Sequence, residues 1–445
     1  MINGTIITVA HEAINEEFNI SDTKFPNSYW PVTSWAIGGG CFSLLILPLM
    51  EDYGMRKVCL LTYVAFLCFV IPQAVAQTFA ALIVTRFFAG GCVAVLANTS
   101  ATVIGNIWDS EKSRTVPVSL FIVSYLMGSS IGPVVGAAIL QFLSWRWIGY
   151  IQLIWYGAFF PIYVFLFQEC RGIAILGERA KTLRQEGKIA YTQHDIDSQG
   201  KSILRIVARS VRRPLWLFCT EPVVFVSTLW SAFTVGTLYL FTQSVEQVVS
   251  GLYGWTPVQA GYVQSAIVIG ECVGWVGALF SGKIYFNSAS RNTEVPGTPI
   301  PEARLYLAIV GGIFGISGGM FTYAWTSYPN LSWIGPAIGL AMVGAGSVVV
   351  VTGLSDYFVD AYSKYAGSVI AIVATGENIF SAFLPLAAAS MYSHLGFRWA
   401  SSLLALISLA LAFVPILVLI WGRQIRARSP FMKESMAEKR GRLSI

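Results

Sequence analysis

Three ionisable side chains stand isolated inside long apolar stretches. Arg86 is the only charged residue in positions 58–108, and Glu271 and Glu377 lie in IVIGECVGWVG and IVATGENIFSAF. A carboxyl group in an apolar interior favours its neutral form, so it can exchange a proton near neutral pH, or it can bind a cation. Arginine cannot release its proton and needs acceptors around it, which is a structural role open to Arg86.

The apolar stretches around these residues predict a polytopic membrane protein. Only 12% of the 445 residues are charged, 55% are hydrophobic, and the mean hydropathy is +0.64. About 20 predominantly apolar residues are needed to cross a bilayer as a helix. Eleven segments satisfy this requirement: 29–50, 58–76, 79–106, 115–141, 148–168, 214–242, 258–281, 305–326, 333–355, 366–392 and 399–421.

The first eighteen residues, MINGTIITVAHEAINEEF, contain about half of a further span. About ten apolar or neutral residues precede His11 and Glu12, roughly half of the length that a span requires. The segment has no basic start and no small-residue cleavage site, so it does not resemble a signal peptide. We expect it to be the outer half of a first helix whose beginning is missing, which brings the predicted number of spans to twelve.

Basic residues predict the orientation and the domain organisation. With the loop at 51–57 on the cytoplasmic side, 25 of the 29 Lys and Arg residues are cytoplasmic. The net charge of +6 therefore reflects topology and gives no reason to expect nucleic-acid binding. We predict an N-terminal bundle (1–170), a basic linker (171–213), a C-terminal bundle (214–421) and a tail (422–445), with both termini of the complete protein cytoplasmic.

Glycines recur every fourth residue in MGSSIGPVVGAAI. Gly128, Gly132 and Gly136 lie on one stripe of a helix, and Pro133 removes one backbone hydrogen bond beside them. In lipid, small residues allow two helix backbones to approach closely. Helix packing alone would explain such a stripe, although the full string is more specific than a simple repeat.

The string GSSIGPVVG resembles the antiporter motif of the major facilitator superfamily. LPLMEDYGMRK at 47–57 is similar to the loop motif after span 2 of that family, and LIVTRFFAGG at 82–91 is similar to the span 4 motif around a membrane-embedded arginine. Together with SWRW, PEARL and IRARSPF, these strings resemble the fungal branch of twelve-span drug:proton antiporters, the multidrug and polyamine-type transporters. The resemblance extends from span 2 to the tail.

This resemblance implies an all-α fold of two six-helix bundles that expels hydrophobic or cationic small molecules in exchange for protons. Arg86, Glu271 and Glu377 would then serve proton coupling. The motif after span 2 implies a cytoplasmic gate formed by Glu51, Gly54, Arg56 and Arg114, although Glu51 could equally cap a helix. Six aromatic residues are candidates for the substrate cavity: Trp35, Tyr125, Trp230, Phe233, Tyr239 and Tyr262.

The predicted topology is compatible with functions other than efflux. A proton-coupled importer or facilitator of a small nutrient fits the same topology, and so does an inactive truncated isoform. An enzyme is not expected, because His11, His194 and His394 lack metal-ligand spacing; neither a metal nor a cofactor is predicted. We expect a monomer in the plasma or vacuolar membrane, with lipid, protons and a small-molecule substrate as its partners.

Overall fold

The structure is a computed structural model that describes residues 1–22, 26–108, 111–192, 203–292 and 297–435. Within these ranges, the description excludes the side chains at 47–53, 111, 173, 203–207, 209–210, 364 and 389. The described residues form helices and contain no strand.

Seven helices are described before the predicted linker. They are α1 (Ile2–Thr5), α2 (His11–Phe18), α3 (Trp30–Tyr53), α4 (Met55–Ala74), α5 (Phe79–Ile107), α6 (Glu111–Leu140) and α7 (Arg146–Leu166). A 3-10 turn at Thr8–Ala10 separates α1 from α2, and Asn19 ends α2 in the left-handed conformation. The first eighteen residues are therefore helical but interrupted.

Nine further helices are described after α7. They are α8 (Gly172–Gln185), α9 (Ile203–Thr220), α10 (Pro222–Tyr253), α11 (Pro257–Val263), α12 (Ser265–Asn287), α13 (Leu305–Val310), α14 (Gly318–Thr326), α15 (Ile334–Ala361) and α16 (Ala366–Arg428). A π-helical turn at Gly311–Ser317 joins α13 to α14. Helix α16 bends sharply at Gly396, whose φ of 76° favours glycine, so it contains the last two predicted spans.

The predicted spans agree with these helices except at the start of the second half. Ten segments of the described residues are long and apolar enough to cross a membrane, and α3 lies at the second predicted span. The predicted span 214–242 is displaced toward the C-terminus. One helix ends at Thr220, and the helix that spans begins at Pro222, after the non-helical Glu221. Proline disfavours the helical conformation in the residue before it, and Glu221 is extended (φ −105°, ψ 103°).

Glycines allow neighbouring helices to approach at backbone distance. A Cβ placed on Gly90 of α5 would lie 2.0 Å from the Trp35 carbonyl oxygen of α3, and one on Gly38 would lie 1.9 Å from the Phe87 carbonyl oxygen. Helices from the two halves also pack on each other: α3 contacts α16, and α6 contacts α11 and α12. Glu271 of α12 lies at one of these contacts.

We predict that Gly90→Ala destabilises the protein, because its new methyl group overlaps main-chain atoms that cannot move independently. Overpacking of this kind costs about 1–3 kcal/mol. Gly105→Ala on the same helix is the control, since no described atom beyond its own helical turn lies within 4 Å of a Cβ there. Thermal unfolding in detergent should show a lower midpoint for Gly90→Ala alone; equal midpoints for the two variants would contradict the packing argument.

Candidate functional site

Arg86 is buried in α5 and donates hydrogen bonds to main-chain carbonyls of two other segments. Its Nε lies 2.7 Å from the Pro31 oxygen, and its Nη2 lies 2.6 Å from the Gly4 oxygen and 3.1 Å from the Asn3 oxygen. Because α1 ends at Thr5, the carbonyls of Asn3 and Gly4 lie in its last turn, where a cation is electrostatically favoured. Arg86 therefore fixes the interrupted first segment to α3 and α5.

Asn3 extends this contact into a polar network. Its side-chain amide donates to Gln152 Oε1 of α7 at 2.6 Å and accepts from Trp35 Nε1 at 2.9 Å. Each of these groups is buried, so each hydrogen bond removes an otherwise costly unsatisfied atom. The sequence offered no signal for Asn3, since it precedes the first predicted full span.

Glu271 lies at the interface between the two halves. It is fully buried on α12, and its Oε1 accepts a 2.8 Å hydrogen bond from Ser130 of α6. No described group hydrogen-bonds its Oε2. Ser130 is one of the residues between Gly128 and Gly132, so the glycine stripe and the carboxyl group belong to one helix pair.

Glu377 is buried on α16 and accepts a 2.5 Å hydrogen bond from Ser231 of α10. Tyr125 and Tyr239 lie within electrostatic range of Glu377, and Tyr239 is also within range of Arg86. Tyr239 of the second half is therefore electrostatically coupled both to Arg86 of the first half and to Glu377.

The six predicted cavity aromatics do not share one environment. Trp35, Trp230, Phe233 and Tyr239 are buried at 1–3% exposure, and Tyr125 is half-buried. Tyr262 is 38% exposed and donates to Gln141 Oε1 at 2.8 Å. It lines an open groove of about 500 Å³ beside α15.

The glycine stripe faces the first segment of the chain. A Cβ on Gly128 would lie 2.9 Å from Met1 Cβ, one on Gly132 would lie 2.1 Å from Thr5 Oγ1, and one on Gly136 would lie 2.4 Å from the Ile6 oxygen. The other side of α6 approaches the second half, since a Cβ on Gly261 of α11 would lie 3.0 Å from the Pro133 oxygen. Helix α6 is therefore packed closely on both sides.

The cytoplasmic gate residues are placed in part. The side chain of Glu51 lies outside the described residues, and Arg114 is half-buried on α6. Gly54 has a φ of 88°, and a Cβ there would lie 2.9 Å from Glu169 Oε2. That carboxylate accepts the main-chain N–H of Arg56 at 2.9 Å, so an acid following α7 occupies the loop after α3.

Sequence reasoning also missed an ionic cluster at the predicted cytoplasmic end of the second half. Arg304 pairs with Asp356 and Asp360 at 3.0 Å each, and its guanidinium lies 3.5 Å from the centroid of the Tyr285 ring. Glu302 pairs with Arg426 of α16. The motif string PEARL contains Glu302 and Arg304, and IRARSPF contains Arg426, but neither string indicated these ion pairs.

The sequence of the whole chain was compared with known protein families. The model described as Major Facilitator Superfamily matches residues 1–378. The chain belongs to this superfamily. Members of the superfamily are membrane transporters, and the described spans, with no strand among them, agree with its all-helical fold.

Individual relatives are fungal efflux transporters. The chain is 32% identical to "Efflux pump atB" of Aspergillus terreus over 88% of this chain and 83% of that protein. It is 31% identical to "Major facilitator superfamily multidrug transporter mdrA" of Aspergillus fumigatus over 91% of this chain and 66% of the other. The crystal structure of the human organic anion transporter MFSD10 (TETRAN) superposes on this chain with a TM-score of 0.60 at 16% sequence identity. The superposition includes 92% of this chain and 89% of that one, which supports the fold.

We predict that Arg86→Lys lowers both the thermal stability and the transport activity of this transporter. A lysine ammonium cannot reproduce the planar fork that reaches carbonyls of two segments. Each lost hydrogen bond from a charged group costs about 1.5–3 kcal/mol. Thermal unfolding should resolve the loss, with the exposed Arg179→Lys on α8 as the matched control. Unchanged unfolding of Arg86→Lys would show that the carbonyl contacts are dispensable.

Proposed function

We propose that this transporter exports hydrophobic or cationic small molecules in exchange for protons, by alternating access between its two helical halves. The observation that carries the proposal is the Glu271–Ser130 hydrogen bond, which joins α12 to α6 across the two halves. Its relatives named as efflux pumps support the direction of transport. The contact must break whenever the halves separate at this point.

The physical basis of coupling is the change in solvation of Glu271. While α6 and α12 are in contact, the carboxyl group is fully buried and one oxygen has no described hydrogen-bond partner, which favours its protonated form. When the helices separate, water reaches the group and stabilises the carboxylate. Proton release therefore accompanies opening, and proton binding favours closure.

Glu377 is the second candidate proton site in this proposal. Its hydrogen bond to Ser231 joins α16 to α10, and Tyr239 lies within electrostatic range of both Glu377 and Arg86. A cationic substrate near Glu377 would compete with its proton, which is the simplest form of exchange.

The aromatic residues support the substrate class. Trp230, Phe233 and Tyr239 lie close together in sequence on α10 and are buried. Their ring faces suit flat apolar compounds and cations alike. A membrane potential of 100 mV supplies about 2.3 kcal/mol per proton, enough for a gradient of about fifty-fold.

We further propose that the protein acts as a monomer in the plasma or vacuolar membrane, with both termini of the complete protein in the cytoplasm and the linker at 171–213 between its bundles.

Expression in a pump-deficient cell tests the function directly. Resistance to a panel of hydrophobic and cationic compounds should rise, cellular accumulation should fall, and a protonophore should reverse both. Increased accumulation without resistance would favour the importer.

We predict that Glu271→Gln and Glu377→Gln each abolish proton-driven accumulation in inside-out vesicles while substrate binding persists. Glutamine retains the shape of a neutral carboxyl group but cannot release a proton. Glu178→Gln on α8, where the side chain is 65% exposed, is the matched control. Substrate-induced proton movement, measured with a pH-sensitive dye, should disappear only in the first two variants. Normal coupling in both variants would refute these assignments.

A further inference from the structure

One histidine and two carboxylates from opposite halves of the chain meet at the predicted exterior side. His11 and Glu12 begin α2, and Glu246 lies in the last part of α10. One ligand atom from each residue lies within 4.8 Å of the other two. The side chains of His11 and Glu246 are only 17% and 13% exposed, whereas Glu12 is exposed.

Hydrogen bonding fixes the orientation of the His11 ring. Its Nδ1 lies 3.0 Å from the Thr8 carbonyl oxygen, which can only accept, so Nδ1 carries a proton. Its Nε2 then faces Glu246 Oε1 at 3.3 Å. In a neutral ring this nitrogen presents a lone pair to a carboxylate, and the two repel. The geometry therefore calls for a positive charge between them, either a proton or a metal ion.

The distance fits a metal ion. With Zn–N and Zn–O bonds of about 2.0–2.2 Å, two ligands on a tetrahedral ion lie about 3.3–3.5 Å apart. The separation of 3.3 Å between His11 Nε2 and Glu246 Oε1 matches this ligand-to-ligand distance. Glu12 is an exposed flexible side chain that can rotate inward to supply a third ligand, and water can take the fourth position. A hydrogen bond to the second imidazole nitrogen, as from Thr8, is typical of ligating histidines.

We propose that His11, Glu12 and Glu246 form a zinc-binding site that joins the two halves of the transporter at their exterior ends. An imidazole with two carboxylates suits zinc better than magnesium, which prefers oxygen ligands and retains its water. Tyr29 lies beside the site, with its ring 6.1 Å from the His11 ring, and its hydroxyl donates to the Thr242 oxygen of α10. The exterior ends are thus already in contact, and zinc would hold them closed.

Zinc binding is measured on the purified full-length chain by calorimetric titration and thermal unfolding with zinc chloride. Wild-type protein should bind zinc and unfold at a higher temperature, and magnesium chloride should have no such effect. His11→Ala and Glu246→Gln should each weaken zinc binding at least tenfold. His394→Ala is the matched control, because His394 is exposed and lies outside this cluster. Equal zinc affinity in wild type and both site variants would overturn the proposal.

Two further measurements separate the site from a general effect on folding. His11→Gln keeps a polar side chain of similar reach, so a folded His11→Gln protein that has lost zinc binding supports ligation. Zinc should also slow hydrogen exchange in α2 and at the end of α10, and a chelator should reverse this. Exchange that zinc leaves unchanged in both helices would refute the joining of the halves. Because these readouts do not use transport, they stand apart from the proposed efflux activity.

Discussion

A guanidinium removed from water needs oxygen acceptors, and the rest of the first half is arranged around this requirement of Arg86. Its three acceptors are main-chain carbonyls of Pro31, Asn3 and Gly4, two of which lie in the last turn of α1. A continuous helix would have engaged those carbonyls in its own hydrogen bonds. The interruption of the first segment and the burial of Arg86 are therefore one feature. It holds that segment in place against α6, where the glycine stripe accommodates it.

Helix α6 transmits this arrangement to the second half. On one side, its glycines bring Thr5 and Ile6 to backbone distance; on the other, Pro133 and Ser130 contact α11 and α12. A helix packed this closely on both sides cannot shift against one neighbour without changing its contact with the other. The small residues thus favour rigid-body movement of the first half, and in the proposed mechanism the Glu271 contact is where that movement would alter the solvation of a titratable group.

Hydropathy located the spans well, because a membrane helix requires a long apolar run wherever it lies. The contacts between spans could not be predicted in the same way. Ser130 and Ser231 are ordinary serines in sequence, and only their positions opposite Glu271 and Glu377 give them a role. The helix break before Pro222 could have been predicted from the proline, but the span was placed by hydropathy alone. Glu169 was not predicted, because acidic residues at span ends are common. The space beside Gly54 that Glu169 fills depends on the positive φ of Gly54, which the sequence does not show.

His11 and Glu246 illustrate how the fold creates chemistry that spacing conceals. They are far apart in the chain, so the absence of metal-ligand spacing gave no reason to expect a site. The two halves carry Arg86 and the pair Glu271 and Glu377 near their shared interface, and His11 and Glu246 at its exterior end. His11 and Glu246 thus come from different halves, and so do Arg86 and the two carboxyl groups. Opening the exterior end would separate His11 from Glu246, so a proton or metal ion held between them would stabilise the closed arrangement.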